Sequence, residues 1–572
     1  MSIRSLAAVC VLAVVSSVAS AQGTKSPLRF VPAEAEWVVK VDRPRELVNT
    51  VETNPLFIDA QKLAGIREYY DTTTFQQLYQ RIAYFEKRLG KTRDELLDDL
   101  GAGGLVIAAK LTNPGGAILV LQAKDEVRLR RFVDLALEAI GQELERQESK
   151  DRIVRKKYQE LDVGQIGPKL SFALVDAALI VASEEKVLKR SLDDYLAKKN
   201  IQQNVSFAEA HKKAPAKALL WTWMNFEELR KNDNFNNGLK AVSLDPLQMI
   251  LFGGLTDLLK RTPYGTAAVT RDESDFRLSL DAPRGSAGMS LLSQVILPPA
   301  GAGTLPLLAP PRVLSSSSYY LDLGKLWDKR VEILGEKNAK GLDEADKNLN
   351  MLSGIKLSTI LQSMGPRQRV VVAQQKEQPY KKVRPGQPIP AFALVVEMRD
   401  PSFAKDMDAI LRTGAIAATF FVGLQLSEET YKDCEIVSYY FSETKKVESD
   451  AQNVRFNFSP SFVAVGDQFV MSATAELARE LVDAIKAEKK RPPSKASMQT
   501  QLHAAGLVDL IRANEDATLT QLILNQALPP KAAKTELGAI VAWIERLGVL
   551  RIESTYGAND FRYDILWQAK KK

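Results

Sequence analysis

Cysteine and histidine are nearly missing from this chain, two of each in 572 residues. Cys10 and Cys434 cannot staple a small fold, and His211 and His503 cannot build a multi-His metal centre. No Cys-x-x-Cys, His-Glu-x-x-His or Gly-x-Ser-x-Gly occurs, so the usual redox, zinc-protease and serine-hydrolase signatures are absent. Long apolar runs are lacking too. Beyond the N-terminus none reaches 18 residues, and the nearest, Gly414 to Leu424, has the length of a core helix or strand. Gly90-Lys91-Thr92 ends like a phosphate loop, but Phe85 stands where that loop needs a glycine, and a helical pattern precedes it. Gly101-Ala102-Gly103-Gly104 leads into a strand, where a dinucleotide turn must open a helix.

What is present is ordinary globular material: 45% hydrophobic, 26% charged, net charge +7. The first 21 residues read as an export signal. Arg4 supplies the positive start, Leu6 to Val15 the short apolar stretch, and Ala19-Ser20-Ala21 the small-x-small cleavage site before Gln22. Cleavage would remove Cys10 and leave Cys434 alone, in the strand-like Asp433–Tyr440, where a small half-buried residue is expected and not a nucleophile.

The remainder repeats itself in order. Val38–Arg45 answers Ser318–Lys325, and Leu97–Gly101 leading to Leu105–Ala108 answers Leu361–Gly365 leading to Val370–Ala373. Leu119–Leu121 answers Leu394–Val396, with helices opened by Asp125 and by Asp400-Pro401. Leu179–Ser183 answers Gln468–Ser472, and Asp275–Leu280 answers Asp560–Ile565. Between the halves lies a Pro/Gly/Ala-rich stretch. The expected organisation is a signal at 1–21, an N-terminal α+β half at 22–283, a linker at 284–311 and a C-terminal α+β half at 312–572.

Within one half the period alternates. Glu36–Asp42, Leu105–Lys110, Ala117–Gln122, Leu170–Val175, Ala178–Ala182, Leu219–Met224, Gly265–Arg271 and Asp275–Leu280 read as strands, several of them hairpin pairs. Thr72–Leu100 and Asp125–Leu144 read as amphipathic helices, and Ser183 as the cap of another. Hairpins imply antiparallel pairing, so the fold class is α+β: two related halves, each of antiparallel hairpins and sheets with amphipathic helices on one side.

Single residues add little chemistry. His211 and His503 lie at similar places in the two halves, after Ser206 and Ser497, and read as helix-surface residues with no acid or nucleophile beside them. Asp42 and Asp322 read as helix N-caps at matching strand-to-helix corners. Basic clusters stand at Arg152–Lys157, Lys381–Arg384, Lys489–Arg491 and Lys570–Lys572. They are not interleaved with aromatics, which argues against nucleic acid; they read as solvated loops and helix ends, with weak salt-sensitive attraction to an anionic envelope polymer as the functional alternative.

The phrase Pro32-Ala33-Glu34-Ala35-Glu36-Trp37-Val38-Val39-Lys40-Val41-Asp42, and the later Phe172–Ser183 leading into a helix, resemble a large group of exported bacterial proteins of unknown function, plentiful in planctomycete-type genomes. The second half opens differently, on Pro311-Arg312-Val313-Leu314. The resemblance implies export and a repeated α+β module, and no activity. The resulting expectation is a non-enzymatic, exported binding or structural protein of the periplasm or cell exterior. It would not span the membrane after cleavage, its partner would be an anionic envelope polymer or another envelope protein, and no catalytic, cofactor or metal residue is assigned. The alternatives are a hydrolase with paired carboxylates in a cleft between the halves and a carrier of hydrophobic ligands, whose sign would be a large apolar cavity inside one half.

Overall fold

The computed structural model describes residues 25–241, 246–300, 302–450, 452–488 and 494–570. The expected signal at 1–21, with Cys10, and the cluster Lys489–Arg491 lie outside them. The chain forms two compact units: residues up to Asn237 with Thr262–Pro283, and Gly238–Arg261 with Arg284 onward.

The first unit contributes β1 (Trp37–Val41), β2 (Leu105–Lys110), β3 (Gly116–Gln122), β4 (Ile153–Tyr158), β5 (Leu161–Ile166), β6 (Leu170–Val175), β7 (Ala178–Ala182), β8 (Ala218–Asn225), β9 (Tyr264–Asp272) and β10 (Asp275–Ala282). All pairings are antiparallel, in the order β4-β5-β6-β7-β3-β2-β1-β8-β9-β10. The second contributes β11 (Val313–Tyr320), β12 (Met364–Ala373), β13 (Ala391–Met398), β14 (Leu424–Tyr431), β15 (Cys434–Phe441), β16 (Ser461–Val465), β17 (Gln468–Ser472), β18 (Met498–His503), β19 (Val549–Tyr556) and β20 (Phe561–Gln568). Its order is β14-β15-β16-β17-β13-β12-β11-β18-β19-β20, again antiparallel throughout. Strand for strand, the two orders coincide.

Both faces of each sheet are covered, not one. The reason is visible in β3, where Ile118 and Val120 face one core while Leu119 and Leu121 face the other. A strand apolar on both faces needs a layer on each. Helix α1 (Glu126–Arg146) follows β3 and covers one face, and α2 (Glu185–Leu196) follows β7 and covers the other with Leu188 and Leu192. In the second unit α3 (Ser402–Val422) follows β13, and α4 (Ala475–Glu488) follows β17 with Leu477, Leu481 and Ile485 buried.

Several local expectations need correction. Thr72–Leu100 is two helices, Thr73–Leu89 and Arg93–Leu100. Gly90 ends the first at φ 67°, and Thr92 with Glu95 forms a capping box for the second, so Gly-Lys-Thr is a helix joint. Ser183 does not cap α2; its hydroxyl accepts the Ala117 amide at 3.1 Å, and Glu184 holds the cap position. The stretch 284–311 is built into the second unit and is not a bare linker. It contains a helix at Leu291–Ile296, Leu308 lies in the core, and the Pro306 carbonyl accepts from the wholly buried Arg369 at 3.0 Å. The acid of the opening phrase also finds its reason. Glu36 is buried and accepts the Leu111 and Thr112 amides at 2.7 and 2.8 Å, tying down the β2–β3 hairpin. Before β11 the matching residue is Arg312, which binds Glu476 at 2.7 Å and Glu480 at 2.8 Å.

Candidate functional site

Of the residues singled out by sequence, His211 and Asp42 come together on Lys40. His211 sits on the helix Val205–Lys212, stacked on Phe207 and edge-on to Trp221, with Nε2 3.0 Å from Lys40 Nζ. Burial, and then the Lys40 charge, hold its pKa below the ordinary value. His503 ends β18, and its buried Nε2 has no hydrogen-bond partner among the described residues; burial and Arg551 hold its pKa down as well. One histidine precedes the eighth strand of its unit and the other ends the equivalent strand, so they are not a matched pair. Both are half-buried packing residues and not surface ones. Asp322 caps the helix Leu323–Asp328 through the Lys325 amide at 2.9 Å. Asp42 caps nothing: Arg43 holds that position, and Asp42 pairs with Lys40 at 2.9 Å. Cys434 is buried at the start of β15. Among the described residues no cluster of three His, Cys, Asp or Glu side chains could hold a metal ion.

Concave features large enough for a ligand include a groove of about 430 Å³ beside Pro306, Asp467 and Glu488, and two larger ones. In the first unit a polar cleft of about 660 Å³ lies between α2 and the β2–β3 hairpin. Its charges are largely spent on one another. Glu34 binds Arg190 at 2.5 Å and Lys110 at 3.4 Å, and Asp193 accepts from Tyr158 at 2.9 Å. Lys186 pairs with Glu184, and Lys189 with Glu185. Burial, with Glu34 nearby, raises the Asp194 pKa, but its neighbouring carboxylate is held by two cations. That is an ion lattice on a helix face and not a poised acid–base pair.

The second feature is apolar. Between helix α3 and the sheet lies an open groove of about 710 Å³. Phe392, Leu394 and Met471 form the floor, and Ile410, Leu411 and Ala418 line the roof. The polar groups in its wall are few. The Ser461 hydroxyl is bound to Ser438 at 2.8 Å and to the Ser459 carbonyl at 2.6 Å, and the Ser472 hydroxyl to the Thr474 carbonyl at 2.9 Å. The Tyr439 hydroxyl has no hydrogen-bond partner among the described residues, and burial raises its pKa, so it is a neutral donor. The result is an apolar groove, open to solvent at Phe392 and Gly414, with Tyr439 as its available polar group.

The first unit shows how the slot arises. Under α1, in the same place in the strand order, the space shrinks to about 70 Å³. Along its inner face α1 presents Leu129, Phe132, Val133, Ala136, Leu137 and Ile140. At the same spacings α3 presents Met407, Ile410, Leu411, Gly414, Ala415 and Ala418. Gly414, Ala415 and Ala418 put little side-chain volume into the middle of this interface. A Cβ on Gly414 would meet nothing within 4 Å.

Sequence reasoning assigned no residue here. The available signal was the run from Thr413 to Ser427, which has no charge and, at Gly414, Ala415, Ala417 and Ala418, little side-chain volume.

A family profile described as "Protein of unknown function (DUF3352)" matches residues 101–252. This is a minority of the chain, and it takes in α1 and α2 but not the apolar cleft. Solved structures of TP0453 are similar over part of the chain. "Structure of crystal form I of TP0453" has 10% identity and a TM-score of 0.25, covering 48% of this chain and 84% of that one. Crystal form IV has 9% identity and a TM-score of 0.26, covering 46% and 81%. Likeness at that level is too distant to bear on function. No curated protein matches the chain.

Proposed function

We propose that the chain is an exported, non-enzymatic envelope protein in which one α+β module occurs twice, and that the second copy binds a molecule with a long hydrocarbon chain beneath α3. The export reading rests on the signal-like pattern of residues 1–21. The duplication is supported by the coincident strand orders, and by the five matched segments, which fall on or beside strands of the same rank. No described helix is long and apolar enough to cross a membrane.

The observation that carries the binding proposal is the 710 Å³ slot beneath α3, set against the 70 Å³ beneath α1. A volume of this size falls within the roughly 300–1,000 Å³ of ordinary ligand clefts. Burying about ten methylenes at ~0.8 kcal/mol each is worth ~8 kcal/mol, enough for micromolar binding before ordering costs. Tyr439 supplies the polar end, donating its hydroxyl to the oxygen of a carboxylate or ester.

The test is titration of the mature chain, from Gln22, with the fluorescent 18-carbon cis-parinaric acid. Saturable binding at one site is expected, and its loss in the filled variant A415L/A418I. Failure to saturate, or equal binding by the filled variant, would overturn the reading.

A further inference from the structure

The end of α3 carries a feature that the cleft does not use. Ile416, Phe420 and Phe421 are 65%, 79% and 78% exposed and line no part of the cavity. From Thr413 to Val422 the helix has no charge on any side, although helices apolar all round are ordinarily buried. Two aromatic rings at the tip of a helix in water need a partner.

The surroundings show which kind. Gly423 caps α3 at φ 71°, and the Lys445 ammonium is bound to the Phe420 carbonyl at 2.5 Å. The same loop reaches the basic cluster Lys381–Arg384, because Glu443 accepts the Lys382 and Val383 amides at 2.5 and 3.1 Å. Contrast this with the other described cluster. In β4, Arg155 pairs with Asp134, Lys156 with Glu185 and Lys157 with Asp162. Lys381, Lys382, Arg384 and Lys446 are exposed and have no acidic partner among the described residues. Of the nearby acids, Glu443 is spent on backbone amides and Asp450 on Arg455 at 2.6 Å, which leaves Glu448. Apolar rings flanked by unpaired cations are complementary to one surface above others, an anionic lipid bilayer, with the rings entering the headgroup–acyl boundary and the cations on the phosphates.

We infer that the tip of α3 and the loop Lys381–Arg384 form a docking face for an anionic membrane surface. The inference goes beyond ligand binding, and its test does not involve the cleft. The full mature chain is floated with vesicles of phosphatidylcholine alone and of equal phosphatidylcholine and phosphatidylglycerol. Partition into the anionic vesicles is expected, weakened by high salt. F420S/F421S should reduce it at least about tenfold, and K381A/K382A/R384A by up to about a hundredfold, since each of the three cations near an anionic surface is worth roughly fivefold. In F420W, vesicles should shift the indole emission to the blue, which reports insertion without weakening the face. Both serine substitutions are on solvent and should leave cis-parinaric acid binding intact, so failure here is separable from failure of the ligand reading. No partition into anionic vesicles, or partition unchanged in F420S/F421S, would overturn the inference. A dimer that F420S/F421S converts to monomer, without vesicle binding by either, would also overturn it and assign the face to a second copy of the chain.

Discussion

Helices α1 and α3 leave the third strand of their respective units and lie on the same face of sheets with the same strand order, yet one is closed down on its sheet and the other stands over a cavity. The backbone plan does not distinguish them. The difference lies in the inward side chains: α1 packs Phe132, Val133, Leu137 and Ile140 against its sheet, whereas the cleft under α3 is lined by Gly414, Ala415 and Ala418 along with Ile410 and Leu411. At ~0.8 kcal/mol per buried methylene, every methylene absent beneath α3 forgoes that much burial. A marginally stable domain does not carry such a deficit easily. A bound hydrocarbon would return it, so ligand and fold would be coupled by mass action. The pair teaches that space can open beneath a helix while the strand order stays as it was.

Breaking the contrast from the closed side has the largest expected effect. L137A/I140A should empty the space under α1 and destabilise the first unit by at least about 4 kcal/mol, read as a fall in its denaturant midpoint. Should the double variant stay folded and acquire a second site for cis-parinaric acid, volume alone makes the site; should it bind nothing new, Tyr439 and the floor of the second cleft are also needed. From the open side, A415L/A418I should abolish probe binding and raise the second unit's midpoint by about 1–3 kcal/mol, less any overpacking strain. G414A alone should add about 0.5–1 kcal/mol through helix propensity, because its methyl enters open space. Y439F leaves the volume unchanged and should weaken binding of a carboxylate-ended probe about fivefold, while a plain alkane analogue loses nothing.

Much of the architecture could be read from the residues, and the reasons for the gaps are specific. The hairpins of β2–β3, β6–β7 and β9–β10 carry alternation and turn residues, and α1 carries a regular apolar stripe. Strands β4 and β5 escaped notice because Arg152–Lys157 reads as a charge run. Their turn is made by Gln159 and Glu160, both at positive φ without the usual Gly or Asn signal. The helix after Ser183 was legible, but that it covers the opposite face from α1 was not, because hairpins alone do not show that β3 is apolar on both faces. The cleft was not legible because absence of volume has no motif. Ala and Gly in α3 look like ordinary helix residues, and the space beneath them only the structure supplies.

The finest comparison is the response of each unit to acid. In the first unit His211 is held neutral by burial and by Lys40, so the unfolded chain takes up a proton first. Its contribution to stability is complete above the ordinary histidine pKa of 6.5 and is lost as pH falls below it. His503 does the same in the second unit. That unit also has Glu480, whose pKa burial raises from 4.5 to about 6 despite Arg312. Here the folded chain takes the proton first, so stability rises as pH falls from about 6 toward 4.5, by at most about 2 kcal/mol. Between pH 7 and 5.5 the first unit should therefore weaken more than the second, measured as protection factors of β6–β7 amides against those of β16–β17 by native-state hydrogen exchange. E480Q removes the counterweight and should make the second unit as acid-sensitive as the first. If both units weaken equally in the unmodified chain, the Arg312 pair already keeps Glu480 ionised, and the contrast in acid response disappears while the contrast in packing stands.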